Sequence, residues 1–585
     1  MGLGFTIDSP IKIAKYGINS VVSIMEDELI ESMREFYCNE YNFPYHPIKR
    51  YEEDHRARRI TEYLNLMNKI VNLQFTDLQN TGFSKGTDIC RYFELLPETS
   101  SLHQKYVDMT KLSEGLKKNE LQQELRAAMK TGSIDVNIMA KADRLGYTAE
   151  NEELPVAYSN ALSSLRGYAN SDLNSSLIIS AGYNPRLYAY LCEFPDFFPS
   201  QDGEIKKKIV LKVSDYRSAQ IQGVLLAKKG IWVSEFRIES GLNCGGHAFP
   251  TEGLLMGPIL EEFRTKRTAL LESMQQHCIA AWESKGFSIK NFQFNTLFSA
   301  QGGIGTHEED EFLRTYYQLD YTGWGSPFLM VPEATNVDEE TLLKLTQAKP
   351  SDYYLSYSSP LGVPFNNFKP STSNSIHAER IKNNRPGAPC YKQHLASNTE
   401  FTTNTICTAS REYQDKKVKD IIESDITPEE KNTIVLKVLE KECLCEGLST
   451  SALLKNNLKL SHKLKAVSIC PGPNLAYFSR IATLEEMTNH IYGRDNLLTR
   501  ERPHMFINEL LLYVDYLNTL NEKETTNKQE LKYRENFRNN LVMGIKYYKD
   551  LLHHMPSGNF CDSVLLFNQL TEIEHALYET EQVCS

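Results

Sequence analysis

Eight short apolar runs, most followed by a helix-like stretch, recur along the first 330 positions and constrain the fold more than any other feature. In order they are GLGFTID (Gly2 to Asp8), SVVSIM (Ser20 to Met25), IDVNIM (Ile134 to Met139) and SLIISAG (Ser176 to Gly182). IVLKVS (Ile209 to Ser214), IWVSEFRI (Ile231 to Ile238), FQFNTLFSA (Phe292 to Ala300) and TGWGSPFL (Thr322 to Leu329) complete the set. Continuous apolar character with β-branched enrichment marks strands buried on both faces. PIKIAKYG after the first run and DYRSAQIQGVLLAKKG after the fifth read as crossover helices. Alternating strand and helix means parallel pairing, and eight units predict a closed (β/α)8 TIM barrel.

The rhythm is interrupted once and then stops. Residues 26–132 carry amphipathic segments such as DELIESMREFYCNEY and DHRARRITEYLNLMNKIV, which predict a helical insertion between strands two and three. Barrel and insertion together span 1–349. Residues 350–475 are rich in Pro, Asn and Ser, with one helix near Glu429 to Leu448, and read as an irregular extension packed on the barrel. Residues 476–585 return to apolar spacings of three and four, as in MFINELLLYVDYLNTL, and predict a helical bundle or cap.

The net charge of −11 argues against a broadly basic nucleic-acid surface. No apolar run approaches the roughly 20 residues that span a bilayer. Twelve scattered cysteines in no dense framework suit a reducing, cytoplasmic setting. MGLGFT matches a loose myristoylation pattern, but a lipid on Gly2 would leave almost no spacer before the first run.

Function in a barrel collects at the carboxyl ends of strands. The seventh run leads into QGGIGTHEEDEFL, where Gly302, Gly303 and Gly305 precede a helix opened by Thr306; the eighth ends at Gly325 and Ser326. Small residues before a helix N-terminus let backbone N–H groups approach a phosphate. The alternative is a tight turn with a capped helix. The sixth run leads into ESGLNCGGHAFPTEG, where Gly245 and Gly246 bring the chain close to something and His247 projects over the mouth. A histidine there can titrate near neutrality, although spacing alone leaves His247 structural or catalytic. Asn137 and Lys212 are polar groups in apolar strands and need partners, from a ligand or from a polar layer inside the barrel. Five later cysteines (Cys390, Cys407, Cys443, Cys445 and Cys470) lack paired metal-knuckle spacing and read as buried thiols. HRARRI, with His55, Arg56, Arg58 and Arg59, reads as a solvated helix face or as a contact for an anionic substrate.

Taken together, these motifs resemble the nitronate monooxygenase family of FMN barrels, including the flavin enoyl reductases of polyunsaturated fatty-acid synthases. The matching pieces are Asn137-Ile138, Gly245-Gly246-His247, Gly302-Gly303-Ile304, Gly325-Ser326, the acidic VPEATNVDEE stretch and SSPLGVP (Ser358 to Pro364), collinear over roughly residues 1 to 370. The resemblance implies FMN with its phosphate on the two glycine turns. It places Thr6, Asn137 and Lys212 with Gly245 and Gly246 around the cofactor, and makes His247 the active-site base. It implies an oxidoreductase acting on a carbon acid or, with NADPH as electron donor, on an unsaturated acyl substrate. The first run departs from the family, with Thr6 and Asp8 where Gln-Ala-Pro-Met is usual, and Leu242, Asn243 and Cys244 displace the acidic residue before Gly-Gly-His. Two other classes stay open: a non-catalytic partner-binding barrel docking through its C-terminal helices, or forming a homo-oligomer, and a flavin-free phosphosugar isomerase or lyase.

Overall fold

The computed structural model describes residues 3–139, 143–150, 152–180, 182–286, 291–460, 465–523, 525–554 and 563–584. Seven parallel strands form one sheet in chain order: β1 (Ser20–Ser23), β2 (Ile134–Ile138), β3 (Ser175–Ile179), β4 (Lys207–Val213), β5 (Val233–Glu239), β6 (Leu297–Gln301) and β7 (Tyr321–Gly323). The sheet curls into a half-barrel flanked by helices. The closed eight-stranded barrel expected from the sequence is therefore corrected. β1 ladders only with β2, and β7 only with β6.

The first apolar run is not a strand. Residues from Leu3 to Asp8 form turns leading into a short helix, Ser9–Ile13, with Pro10 in its first turn. The local bonds are turn bonds, Ile7 N to Gly4 O and Ser9 N to Thr6 O, both at 3.3 Å. Gly4 N–H is drawn away to Leu448 O at 2.8 Å. Phe5 O accepts from Asn336 N at 2.9 Å and Ser9 Oγ donates to Ala334 O at 2.5 Å, so the segment lies against the chain that follows β7. The eighth run stops being a strand at Gly323. Pro327 cannot donate to a ladder, and Ser326–Met330 winds instead into a 3-10 turn.

The period of two along β5 separates its faces. Phe236 and Ile238 are fully buried, and Phe236 packs toward Phe263 of the helix Met256–Lys285. Glu235, Arg237 and Glu239 share the other face. Arg237 Nε meets Glu235 Oε1 at 2.9 Å, Ser299 Oγ donates to Glu235 at 2.5 Å, and Tyr321 donates to the same carboxylate. Barrel interiors are ordinarily filled by branched apolar side chains; this face is ionic.

Five helices, Asp27–Glu40, His55–Asn80, Asp88–Glu94, Ser101–Thr110 and Leu116–Ala128, lie between β1 and β2. After the sheet comes an antiparallel hairpin, β8 (Tyr353–Ser356) with β9 (Phe365–Phe368). The single helix expected near Glu429 to Leu448 is two, Pro428–Leu439 and Leu444–Lys455. They separate because the linker is tied elsewhere: Glu440 accepts from Tyr357 N at 2.7 Å and Glu442 N donates to Ser358 O at 2.9 Å. One continuous set of buried side chains runs from Phe5 to Leu577, so the C-terminal helices share the core of the sheet. No described helix is long and apolar enough to cross a membrane.

Candidate functional site

The carboxyl ends of β4, β5 and β6 carry a polar row. Lys212 Nζ pairs with Glu239 Oε1 at 2.8 Å, both half-buried, and Gln301 donates to the same Glu239 oxygen. The register sets this up, because Glu239 lies opposite Gln301 in neighbouring parallel strands. Cys244 Sγ lies 3.5 Å from Gln301 O, and burial, with Glu239 adding, pushes its thiol well up. Asn137, at the end of β2, is half-buried, and its side chain has no hydrogen bond among the described residues.

In the loop after β5, His247 Nε2 lies 2.7 Å from Ser359 Oγ, and its ring meets Phe365 edge-on at 5.1 Å. A bridge between His247 and Phe365 fixes the backbone there. Gly246 has φ +84°, and no described atom lies within 4 Å of where its Cβ would stand, so space adjoins the histidine, while its N–H and C=O are taken by Cys470 O and Asn366 N.

The two glycine corners lie on one edge, joined by a segment that no sequence pattern places there. Gly472 N donates to Ser326 Oγ at 2.8 Å and Asn474 Nδ2 donates to Ile304 O at 2.8 Å. A Cβ on Gly472 would stand 3.3 Å from Gly245 N, and Gly246 N donates to Cys470 O at 3.0 Å. Cys470 to Asn474 thus lies over the ends of β5, β6 and β7. Gly302 (φ +109°) and Gly303 (φ +80°) are in the left-handed region, but a side chain there would strike Cys244 Sγ at 2.7 Å and Asn243 Nδ2 at 2.0 Å. A Cβ on Gly305 would strike Arg502 Nε at 2.5 Å. These glycines make room for the chain's own side chains.

The electrostatics agree. Gly305 N–H, the amide best placed for a phosphate, donates to Glu309 Oε2 at 2.8 Å. Glu309 Oε1 pairs with Arg502 Nη1 at 2.6 Å, both nearly inaccessible, and accepts from Met505 N at 2.7 Å. Arg502 also donates to Asn474 Oδ1 at 2.7 Å and to Gly303 O. Burial alone would raise the Glu309 carboxyl; Arg502 overcomes it and holds it below the ordinary range. The corner as it stands does not fit a nucleotide phosphate, because a carboxylate already occupies its donor.

A second ionic cluster, not read from the sequence as a site, stands just past β1. Glu26 Oε2 is 2.5 Å from Lys392 Nζ and its Oε1 is 3.6 Å from His394 Nε2, all deeply buried. Burial would raise Glu26, but Lys392 and His394 hold it well below the carboxylate range. Asp27 pairs with Arg56 at 2.9 Å and Arg59 at 2.8 Å. Half of HRARRI is therefore turned inward, while Arg58 stays exposed on Glu52. Thr6 is buried in the N-terminal turn, and no hydrogen bond among the described residues joins it to Asn137 or Lys212. The signal for the Glu26 cluster was present in the acidic pair that ends SVVSIMED. Ser359 falls within the SSPLGVP motif, but nothing in the sequence pointed to Lys392, Gly472 or Arg502, which arrive from well over a hundred residues away.

No family model matches the chain, and no curated protein does. Among solved structures, it is similar to the enoyl reductase domain of MlnA from the macrolactin biosynthesis cluster of Bacillus amyloliquefaciens, with TM-score 0.35 and 13% identity over 65% of this chain and 86% of that one. A superposition that partial carries no inference about activity.

Proposed function

We propose that this chain is an oxidoreductase whose substrate, a carbon acid or unsaturated acyl compound, lies at the carboxyl edge of the half-barrel. The observation that carries the reading is the pairing of an oriented histidine with unfilled space beside it at that edge. Ser359 holds His247 by one ring nitrogen, and Gly246 next to it faces free space. A histidine so held can take a proton from a substrate carbon, a role general-base catalysis supports by about 10²–10⁴-fold. Lys212, anchored by Glu239, supplies a positive charge on the same edge for a developing oxyanion. FMN, with NADPH as donor in the reductase version, is the redox group proposed.

That filled corner favours a second reading, a non-catalytic half-barrel whose glycine corner is closed by its own C-terminal region. One experiment separates the two. The purified protein is incubated with FMN, desalted, and its visible spectrum recorded. Retained flavin that bleaches anaerobically with NADPH or a nitronate supports the oxidoreductase. A colourless protein after reconstitution sinks it and leaves the non-catalytic half-barrel. In the first case His247→Ala should keep the flavin and slow its reduction by about 10²-fold or more.

A further inference from the structure

Two helices of the extension face each other with polar stripes that do not meet. On the helix Thr372–Lys382, Ser373, His377 and Arg380 fall at i, i+4 and i+7, one face of an α-helix. Glu442 precedes the N-cap of the helix Leu444–Lys455, and Glu446 stands in its first turn. All five residues line one small cavity that opens to solvent, with room for about one water-sized group. Glu442 is the buried member, only 7% exposed. Its Oε2 accepts from Ser373 Oγ at 3.2 Å, and no hydrogen bond reaches its Oε1 among the described residues. Arg380 and Glu446 are half-buried, and among the described residues neither side chain makes a hydrogen bond or an ion pair. Burial holds the His377 ring below its ordinary value, so it adds no charge near neutrality. Burial also raises both carboxyls. Glu442 reaches about 7, with Ser373 opposing and Glu440 adding, while Lys392 and Arg380 oppose the rise of Glu446.

Opposite charges that share a cavity ordinarily close on each other, because a buried polar group without a partner is costly. Here they stay apart, and a ligand carrying both signs would satisfy both. An ammonium group brings three N–H donors, matched by Glu442 Oε1, the Glu446 carboxylate and a lone pair of Ser373 Oγ. A metal ion fits less well, since no group of three His, Cys, Asp or Glu among the described residues is set to hold one. We infer that this cavity takes the ammonium group of a small α-amino acid against Glu442 and Glu446, while the ligand's carboxylate meets Arg380 nearer the surface. The planar guanidinium fork suits a carboxylate bidentately, which a lysine would not. The space admits little beyond the head group, so the ligand's side chain is short. The helices that build the site follow the sheet in the chain, and its test uses no flavin, so it stands apart from the redox reading.

The full chain is titrated calorimetrically at pH 7 and constant ionic strength with glycine, methylammonium chloride and sodium acetate, in cacodylate and in MOPS buffer. Glycine should bind saturably, methylammonium about 10-fold more weakly, and acetate more weakly still. An ammonium group beside Glu442 favours its charged form, so glycine should release protons and its heat of binding should differ between the buffers. Glu442→Gln keeps an acceptor for Ser373. It should weaken glycine at least about 10-fold and remove the buffer dependence. Arg380→Gln should bring glycine down to the affinity of methylammonium and leave methylammonium unchanged. Neither variant loses an ion pair, so both should melt no lower than the wild type, and weakened binding then reports the site and not the fold. A cavity that merely holds a water gives no saturable glycine binding, and that result overturns the assignment. So do equal affinities of the wild type for glycine and methylammonium, or equal heats in the two buffers.

Discussion

Glu509 ties the C-terminal helix Met505–Asn521 to the mouth of the sheet, and its titration should be visible in the stability of the whole chain. Its Oε1 accepts from Ser240 Oγ at 2.5 Å and its Oε2 from Met256 N at 2.8 Å. Burial, only partly offset by these donors, pushes its carboxyl up from 4.5 to about 7. A folded-state value above the unfolded one means the native state binds the extra proton. The associated stability is complete below the unfolded value near 4.5 and is lost as pH rises through about 7. The span corresponds to about 3 kcal/mol at roughly 1.4 kcal/mol per tenfold change in proton affinity. Glu509→Gln keeps the acceptor for Met256 N and can donate to Ser240 Oγ without ever charging. The variant should therefore match the wild type to within about 1 kcal/mol near pH 5 and exceed it by about 3 kcal/mol at pH 8.5. Urea unfolding of both proteins across that range measures the difference. Glu442 is also pushed up to about 7, by burial, and adds a slope of the same sign to both proteins, so only their difference reports on Glu509. A difference independent of pH would refute the assignment of a neutral buried carboxyl at this position.

Other outcomes follow from single contacts. Arg502→Ala leaves Glu309 buried without its partner and should cost about 3–5 kcal/mol in urea unfolding; a loss below about 1 kcal/mol would mean that the C-terminal region does not seal the corner. Gly257→Ala places a methyl group 2.2 Å from Tyr548 Cε1 and should destabilise by about 1–3 kcal/mol. Gly246→Ala meets no atom and should cost only about 1 kcal/mol for its left-handed backbone, so a larger effect of Gly246→Ala than of Gly257→Ala in thermal melts would contradict the packing described. For His247→Ala, retention of flavin with a reductive half-reaction at the wild-type rate would remove the base.

The parallel strands were legible because buried parallel strands write themselves as local apolar runs. Six of the eight runs hold strands of the sheet over much of their length, and the eighth holds the last two residues of β7. The first run misled for a physical reason. Gly4 N–H and Phe5 O are both taken by distant backbone, at Leu448 and Asn336, so an apolar segment with strand-like composition has its ladder groups diverted before it can pair. The candidate site divides in the same way. His247 and Lys212 could be named from their positions at strand ends. The glycine corners could be located, but not what fills them, since glycine reads the same whether it admits a phosphate or Arg502.

What the amino-acid order determined by itself was therefore the short-range part: the period of the strands, the helix-rich interval between β1 and β2, and the polar residues that interrupt apolar strands. Only the tertiary structure decided that the sheet stays open and that Cys470 to Asn474 and Arg502 close over its glycine corners. Side-chain periodicity is imposed by bonds between near neighbours. The partner of a buried charge or a bare amide is set by whichever distant segment the fold brings within about 3 Å, and sequence spacing carries no record of that distance.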